Sequence, residues 1–488
     1  MSRSITRLFA AVILTMTLVS PASLAAPAET DPAALPTLGD AASGMVSPEV
    51  ERRLGAAWLR ELRARTSLYY DPLVNDYVEH LAWRLASHSD LVEPRLSVVM
   101  LNSAEINAFA VPGGVMGINA GLLLNADRED EAASVVAHEL AHLSQRHYAR
   151  GVDQARRQQP LALTALLASI LVAATVGGDA GAAAIIGTQA GLVQSQLAFS
   201  RDNEREADRI GMQTLARAGF DPEAMPAFFE NLQRAAPLDP DRYPEFLRTH
   251  PVTDSRISDS RNRARQLASS RRGASLDFDL ARVRLQVAFA RDAALAVSRY
   301  TAALKDAPAA AQDVVRYGLA LALLRAERHD DALATLAPLR RASPDRIAWI
   351  VTEGEILLAR GEAGAAVNVL TEGLALAPDN FPLAVLAAQA LLRDGRAAKA
   401  VALLERQSLL RNEDPQIWSL LARARGESGD VVGVHAARAE YLFLRNQIDP
   451  ALEQLKLGID KAGSDFPRTA PLRVRMQQIE GVRHDLKL

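Results

Sequence analysis

The sequence predicts a mainly helical α+β protein, in which a compact domain with a small sheet precedes an α-solenoid. The composition favours helices, because alanine is abundant and aromatic residues make up only 5% of the 488 residues. The C-terminal half repeats with a period of 34 residues, which is typical of stacked helix pairs. A short extended segment at 107–114 precedes two helical segments rich in His, Glu and Asp, and this indicates a separate N-terminal domain.

The N-terminal segment has the pattern of a secretory signal peptide. Arg3 and Arg7 precede a long apolar run, and Ser23 and Ala25 supply the small residues that come before a cleavage site. We therefore predict cleavage after Ala25, which assigns residues 1–25 to the signal peptide and implies that the chain is exported.

Charge and cysteine content exclude several classes of function. Without the two arginines of the signal peptide, 53 basic residues face 58 acidic ones, and a net charge near −5 offers no basis for binding nucleic acid. The chain has no cysteine, which excludes structural disulfides and thiolate metal ligands. Stability must therefore come from burial, and 49% hydrophobic residues suffice for two domains.

Residues 138–142 form an HExxH motif, the strongest functional signal in the chain. Residues four apart lie on one face of a helix, so His138 and His142 can bind one metal ion while Glu139 lies beside the water that attacks a peptide bond. This is the chemistry of a zinc peptidase. A coincidental match on an ordinary amphipathic helix is the weaker alternative in a chain with nine histidines.

The residues around the motif predict where its helix begins and ends. Acidic residues crowd the predicted first turn, and basic residues occupy a predicted last turn before Gly151, as the helix dipole favours. By the same helical arithmetic, His147 points away from the face that carries His138 and His142. We therefore interpret His147 as having no part in the site.

A third metal ligand is expected on a second predicted helix, which contains Glu204, Glu206 and Asp208. Glu204 and Asp208 share an otherwise apolar stripe, where a buried carboxylate needs a cation or hydrogen-bond donors. We predict Glu204 as the ligand and Asp208 as the acceptor for the free ring N–H of a ligating histidine. Glu206 shares its face with other charged residues and is interpreted as solvated.

Together the HExxH and ExxxD motifs resemble the zinc sites of the M48 metallopeptidases, the family that contains the CAAX-prenyl proteases. Segment 107–114 resembles the family's strand before the zinc helix. With its C-terminal repeats the chain is most similar to periplasmic members of this family, over nearly all of the mature chain. The resemblance implies a zincin-type peptidase domain, which we place at residues 26–270, with one Zn²⁺ per chain held by His138, His142 and Glu204.

The same resemblance implies a role in protein quality control of the cell envelope. Misfolded or stalled outer-membrane proteins would be the substrates, and the barrel-assembly machinery a partner, with the enzyme in the periplasm or peripheral at the outer membrane. The alternative is a chaperone or adaptor for outer-membrane protein assembly with little or tightly self-inhibited proteolysis. Rescue of client assembly by a Glu139→Gln variant would favour that alternative.

Segment 107–114 predicts a short strand that ends in a Pro-Gly-Gly turn. If its edge is exposed, an extended polypeptide could pair with it through main-chain hydrogen bonds. An internal hairpin is equally compatible with the sequence.

His250 lies in a loop between Tyr-Pro-Glu-Phe and a proline. It could steady a developing oxyanion, or it could reach the open metal position. In the second case it would displace the catalytic water and make the enzyme self-inhibited until the loop moves. A lone loop histidine is as often a surface or packing residue, so these alternatives stay open.

Residues 161–193 contain two Ala-rich apolar stretches joined by a glycine-rich turn. The first stretch is shorter than the about 20 residues that span a bilayer, so a buried or membrane-surface hairpin is favoured over a transmembrane segment. A hairpin in contact with lipid would hold the site near a membrane.

The C-terminal repeat has the tetratricopeptide period. Columns of small or turn-forming residues recur at 34-residue spacing: Ala332, Ala366 and Ala400; Gly361, Gly395 and Gly429; Pro344 and Pro378; Ala320, Gly354, Ala388 and Ala422. We predict a solenoid at 278–460 and a C-terminal tail at 461–488. Such solenoids bind extended peptides or partner proteins on a concave face, although a purely structural extension is the alternative.

Overall fold

The computed structural model describes residues 47–92, 95–151, 201–236, 244–267 and 275–485. The predicted signal peptide and the predicted hairpin at 161–193 lie outside these ranges. Within them, no helix combines the length and the apolar character that crossing a bilayer requires. The chain divides by its internal contacts into two compact units, one that ends at Gln407 and one that begins at Ser408.

The first part of the chain up to residue 267 contains three strands and eight helices whose two ends are both described, and a further helical segment begins at 147–151. The strands and the eight helices are α1 Pro48–Arg65, α2 Pro72–Ala86, β1 Ser97–Leu101, β2 Ala108–Val111, β3 Val115–Asn119, α3 Ala120–Asn125, α4 Glu129–Ser144, α5 Arg201–Arg217, α6 Ala224–Ala235, α7 Glu245–Thr249 and α8 Asp254–Ala264. All the described strands lie in this part. Helices follow to the end, which confirms the predicted mainly helical α+β class.

The remaining helices form pairs. They are α9 Leu276–Ala288, α10 Ala293–Asp306, α11 Gln312–Arg325, α12 His329–Ala342, α13 Ile347–Ala359, α14 Ala363–Leu376, α15 Phe381–Arg393, α16 Ala397–Leu410, α17 Pro415–Glu427, α18 Val431–Leu444, α19 Ile448–Ala462 and α20 Phe466–Asp485. A short 3₁₀ turn, Ala309–Ala311, precedes α11. The unit that begins at Ser408 contains the end of α16 and α17 to α20.

The sheet has the strand order β1-β3-β2, with β1 parallel and β2 antiparallel to β3. The N–H of Asn119 donates to the C=O of Asn107 at 3.0 Å. Hydrogen-bonded pairs alternate along an antiparallel ladder, so the N–H and C=O groups of Ala108 and Ala110 point away from β3. Segment 107–114 therefore forms a hairpin, and among the described residues its strand β2 is also a sheet edge.

Helix α4 passes through the main hydrophobic core, and the helical prediction for the HExxH motif is confirmed in type but wrong at its C-terminal end. The helix ends at Ser144, because Arg146 adopts a left-handed conformation with φ 50°. Helical structure resumes at 147–151 in a new direction. The stop predicted at Gly151 therefore comes too late, and residues after Ser144 do not follow the helical arithmetic of α4.

A left-handed turn marks the junction within the helix pairs of the repeat. Positive φ angles recur at a spacing of 34 residues at Glu327 (58°), Gly361 (83°), Gly395 (72°), Gly429 (84°) and Gly463 (59°). Glycine adopts this conformation without the penalty that a Cβ atom brings. The column extends one period beyond the three predicted glycines. Residues 466–485, which fall in the expected tail, form helix α20, and its Leu472 and Ile479 share a hydrophobic cluster with α19.

A buried arginine joins the first repeat helices to the domain that carries the sheet. Arg284 of α9 donates to Asp71 at 2.6 Å and to Glu355 of α13 at 2.7 Å. It also contacts the hydroxyls of Tyr317 at 2.9 Å and Thr352 at 3.2 Å. Asp71 is in addition the N-cap of α2. The guanidinium thus compensates two carboxylates that come from distant parts of the sequence.

We expect an Arg284→Met variant to lose about 3 to 5 kcal/mol of unfolding free energy, because it leaves the buried carboxylates of Asp71 and Glu355 without a counter-charge. Urea unfolding followed by tryptophan fluorescence would measure the loss. The control is a triple variant with Asp71→Asn and Glu355→Gln added, which removes the uncompensated charges and should recover much of the loss. Equal midpoints for the parent and Arg284→Met would contradict this interpretation.

Candidate metal centre

The predicted site residues lie together in the core although they come from three separate segments. Each is at most 4% exposed: His138, Glu139 and His142 on α4, Glu204 and Asp208 on α5, and His250 directly after α7. One ligand atom from each of four of them, His138, His142, Glu204 and His250, lies within 4.8 Å of all the others. The structure therefore brings the residues together, while their roles stay predictions.

The distances within this cluster resemble those of a metal-binding site. The Nε2 atoms of His138 and His142 are 3.1 Å apart. The Glu204 carboxylate lies 3.5 Å from His138 Nε2 and 3.4 Å from His142 Nε2. His250 Nδ1 lies 3.0 Å from Glu204 Oε1. Imidazoles and one carboxylate that converge at these distances form a donor set suited to a divalent cation such as Zn²⁺.

A close helix contact sets these distances. Gly211 of α5 packs against the backbone of α4, where an added Cβ atom would lie 3.1 Å from both Ala137 O and His138 N. Because residue 211 has no side chain, α5 can approach α4 closely enough for Glu204 to reach the histidines. This contact also buries Asp208 beside His138.

Asp208 and Arg256 support the cluster through contacts with His138 and Glu204. Asp208 Oδ1 lies 3.1 Å from His138 Nδ1, and a carboxylate at this distance can orient a ligating ring. Arg256 of α8 donates to both Asp208 oxygens at 2.7 and 2.8 Å. It also lies 2.9 Å from Glu204 Oε2 and donates to the C=O of Pro251 at 2.8 Å. Arg256 therefore connects both carboxylates to the loop of His250.

Sequence reasoning missed Arg256. It lies six residues after His250 on a short helix, and no spacing relates it to α5. The general signal that could have found it is the need for a cation near two carboxylates placed on a buried stripe.

The electrostatics of the cluster favour a positive charge between the rings and the carboxylates. Burial acts to raise the pKa of Glu204, but the rings of His250, His138 and His142 lower it well below its ordinary value. Burial acts to lower the pKa of His138, but hydrogen bonds with Asp208 and Glu204 raise it to about 9. Burial lowers the pKa of His142 well below its ordinary value. An ionised carboxylate beside a neutral imidazole is the state in which both can bind a metal ion.

Glu139 lies next to the cluster but faces the sheet edge. Its Oε1 is 3.4 Å from His250 Nε2 and has no hydrogen-bond partner among the residues that the structure describes. Burial raises its pKa, while the nearby rings and a hydrogen bond with the backbone of Ala110 act in the opposite direction. A carboxylate with a raised pKa beside a strand at the edge of the sheet is suited to accept and return a proton.

The expectation that His147 points away from His138 and His142 is wrong. His147 Nδ1 lies 2.9 Å from His142 Nδ1, and its Nε2 lies 3.1 Å from Glu206 Oε2. The left-handed turn at Arg146 places the His147 ring beside His142 of α4. Burial lowers the pKa of His147 to about 4, so the ring is neutral at pH 7.

The interpretation of Glu206 as a solvated residue is wrong in part. Its side chain is 29% exposed, but it pairs with His147 and accepts a hydrogen bond from Arg150 at 2.7 Å. Sequence reasoning considered His147, five residues after His142, but set it aside because it assumed that the helix continues past Ser144.

Comparison with known proteins gives two family matches within the chain. The model of peptidase family M48 matches residues 72–264, and a tetratricopeptide-repeat model matches residues 357–424. The first match contains every residue of the cluster, and the second lies within the helix pairs.

Relatives match over most of the chain. A beta-barrel assembly-enhancing protease of Escherichia coli (strain K12) is 35% identical over 95% of this chain and 92% of its own length. A protein of the same name from Yersinia pestis is 34% identical over 93% of this chain and 90% of its own. A mitochondrial metalloendopeptidase OMA1 of Saccharomyces cerevisiae is 32% identical over 39% of this chain and 49% of its own.

We expect a Gly211→Val variant to weaken metal binding and to lose about 1 to 3 kcal/mol of stability, because the new side chain pushes α5 away from α4. Metal content after dialysis and thermal unfolding would measure the two effects. The matched control is Gly364→Val in helix α14, where an added Cβ atom meets only Asp394 Oδ1 at 3.5 Å. If both variants keep the metal equally well, the close contact does not set the site geometry.

Proposed function

The chain belongs to peptidase family M48, and on that premise we propose that it is a zinc-dependent endopeptidase of the bacterial envelope. Its substrates would be misfolded or stalled outer-membrane proteins. The observation that carries the proposal is the buried cluster of His138, His142 and Glu204, with Glu139 between it and β2, the edge strand of the sheet. The near full-length likeness to two beta-barrel assembly-enhancing proteases supports the choice of substrate class.

His138, His142 and Glu204 would hold the metal ion, and two imidazoles with one carboxylate suit Zn²⁺. When bound, the ion would supply Lewis acidity to the scissile carbonyl and to the attacking water. The contact between Asp208 and His138 would hold that ring with Nε2 toward the ion. Arg256 would keep both carboxylates ionised and in place.

Glu139 would act as general base and general acid. It takes a proton from the attacking water and returns it to the nitrogen of the leaving amine, so one carboxylate serves both halves of the hydrolysis. Its burial and raised pKa support this role, because the two protonation states are then closer in free energy at neutral pH.

The open edge of β2 would bind the substrate as an added strand. The N–H and C=O groups of Ala108 and Ala110 face away from β3, and the Ala110 backbone also reaches Glu139. Main-chain pairing fixes the direction of a polypeptide with little demand on its side chains. Unfolded outer-membrane β-barrel proteins, which are rich in strand-forming segments, suit such an edge.

We expect a Glu139→Gln variant to keep its metal and to lose turnover by roughly 10²- to 10⁴-fold, because the amide cannot accept the proton. A His138→Ala variant should lose both the metal and the activity. The measurement is degradation of an unfolded outer-membrane barrel protein by the mature chain and each variant, with bound zinc quantified in all three. Zinc retained at the parent level in His138→Ala would contradict the ligand assignment.

His250 is proposed to restrain the resting enzyme. Its Nδ1 lies 3.4 Å from His138 Nε2, so it can complete the donor set at the position that a catalytic water needs. The helix α7 before it is fastened to the strand segment, since the N–H of Phe246 donates to the C=O of Ile106 at 3.3 Å. Stabilisation of the oxyanion by His250 is the other role, and it would require the loop to move.

We expect a His250→Ala variant to cleave faster than the parent if the ring occupies the resting metal position, with zinc content unchanged because three ligands remain. Initial rates on the same unfolded substrate would test this. His329→Ala, a histidine at the start of α12, serves as the matched control. An unaltered or lower rate with equal zinc would remove the self-inhibition proposal, and a lower rate would favour the oxyanion role.

The remaining assignments follow from the same proposal. The signal peptide, residues 1–25, would direct the chain to the periplasm, with the peptidase domain at 26–270 and the solenoid at 278–460. The solenoid would bind clients or the barrel-assembly machinery, and the segment at 161–193 would provide any contact with a membrane. The M48 match at 72–264 lies within the first of these domains, and the repeat match at 357–424 lies within the second.

The second candidate function is a chaperone or adaptor whose proteolysis is rare. The His250 contacts favour it, since they would keep the site closed at rest. If Glu139→Gln restored barrel assembly in cells that lack the protein, binding would be the main role. If only the parent restored it, hydrolysis would be.

A further inference from the structure

The second metal-binding histidine has a hydrogen-bonded support of its own. His142 Nε2 faces the cluster, at 3.1 Å from His138 Nε2 and 3.4 Å from Glu204 Oε1. Its other ring nitrogen, Nδ1, lies 2.9 Å from His147 Nδ1. On the far side of His147, Nε2 lies 3.1 Å from Glu206 Oε2. The two rings and the carboxylate thus form one continuous chain.

Proton positions in this chain are fixed by counting donors. If His142 binds a cation through Nε2, its ring proton is on Nδ1 and is donated to His147 Nδ1, which must then carry a lone pair. The proton of the neutral His147 ring is therefore on Nε2 and is donated to Glu206. Arg150, whose Nη2 lies 2.7 Å from the same Glu206 oxygen, holds the carboxylate in place.

The fold places His147 in this position at a conformational cost. Arg146 adopts φ 50°, a left-handed conformation that is unfavourable for a residue with a Cβ atom. The turn brings the His147 ring into the core, where the residue is 1% exposed. A continued helix would have directed residue 147 away from His142.

Helix α5 thereby supports both metal-binding histidines. Asp208 contacts His138 Nδ1 directly, and Glu206, two residues earlier, reaches His142 Nδ1 through His147. Partners of this kind fix the tautomer and orientation of a ligating ring, and their loss typically weakens metal binding 10- to 100-fold.

We propose that His147, backed by Glu206, is a positioning residue that holds His142 with its Nε2 lone pair toward the metal ion. The inference rests on the proposed role of His142 as a ligand. It adds to the site a relay of two hydrogen bonds that the HExxH and ExxxD motifs do not contain.

The test compares three substitutions of His147 by their affinity for Zn²⁺ alone. In His147→Asn the amide oxygen can replace Nδ1 as the acceptor for His142. In His147→Gln the amide can replace Nε2 toward Glu206 but does not serve His142. His147→Leu removes both functions. Competition with a chromophoric zinc chelator at constant pH, on the full mature chain, measures the dissociation constants, and thermal unfolding shows whether each variant is folded.

We expect His147→Leu and His147→Gln to bind zinc roughly 10- to 100-fold more weakly than the parent, and His147→Asn to recover most of the affinity. Equal affinity in all three variants and the parent would overturn the inference. So would equal weakening in all three, because that pattern reports packing and not an acceptor at Nδ1. A parent chain that binds no zinc would instead overturn the proposed metal site, and the inference with it.

Discussion

The buried carboxylate of Glu204 constrains the positions of the segments around it, because its charge must be compensated. An ionised group in an apolar core costs several kcal/mol unless positive or donor groups surround it. Here they come from α4, from the loop after α7 and from α8, through His138, His142, His250 and Arg256. These segments must converge for the core to be stable, so folding of the domain and assembly of the site are one process. The same convergence leaves a donor set suited to a divalent cation.

Sequence reasoning placed side chains correctly where their arrangement depends on one helix, and it failed where the arrangement depends on a change of chain direction. His138 and His142, and likewise Glu204 and Asp208, each lie one turn apart on a single helix, so spacing alone placed them on a common face. His147 depends on a left-handed residue other than glycine, which no pattern signals. Arg256 depends on how α8 packs against α5, and this is tertiary information. The repeat period could be read from the sequence, but α20 lies beyond the predicted solenoid because it lacks most of the column residues that mark earlier repeats.

Around Arg284, as at the metal centre, a buried charge is compensated by several partners from distant parts of the sequence. A buried charge is costly to leave half-paired, which makes the alternative arrangements of its partners unfavourable. Asp71 caps a helix beside the sheet, and Glu355 belongs to the third helix pair, so one guanidinium sets the position of both. The first repeats are therefore attached to the peptidase domain through specific charges in addition to apolar packing. The side chain of Arg284 therefore links α13 directly to the start of α2.

If substrates bind to β2 as an added strand, as proposed, this edge also limits the folding stage at which a polypeptide can be cleaved. The C=O of Ile106 already accepts the N–H of Phe246, so an incoming strand that extends along this edge competes with α7 for a backbone acceptor. Only a polypeptide whose own backbone N–H and C=O groups are still unpaired can replace α7 at this acceptor. A closed β-barrel has no such strand, because closure removes every edge. Under that proposal, an outer-membrane protein that has completed its last strand pairing would escape cleavage, whereas one whose barrel is still open would remain a substrate.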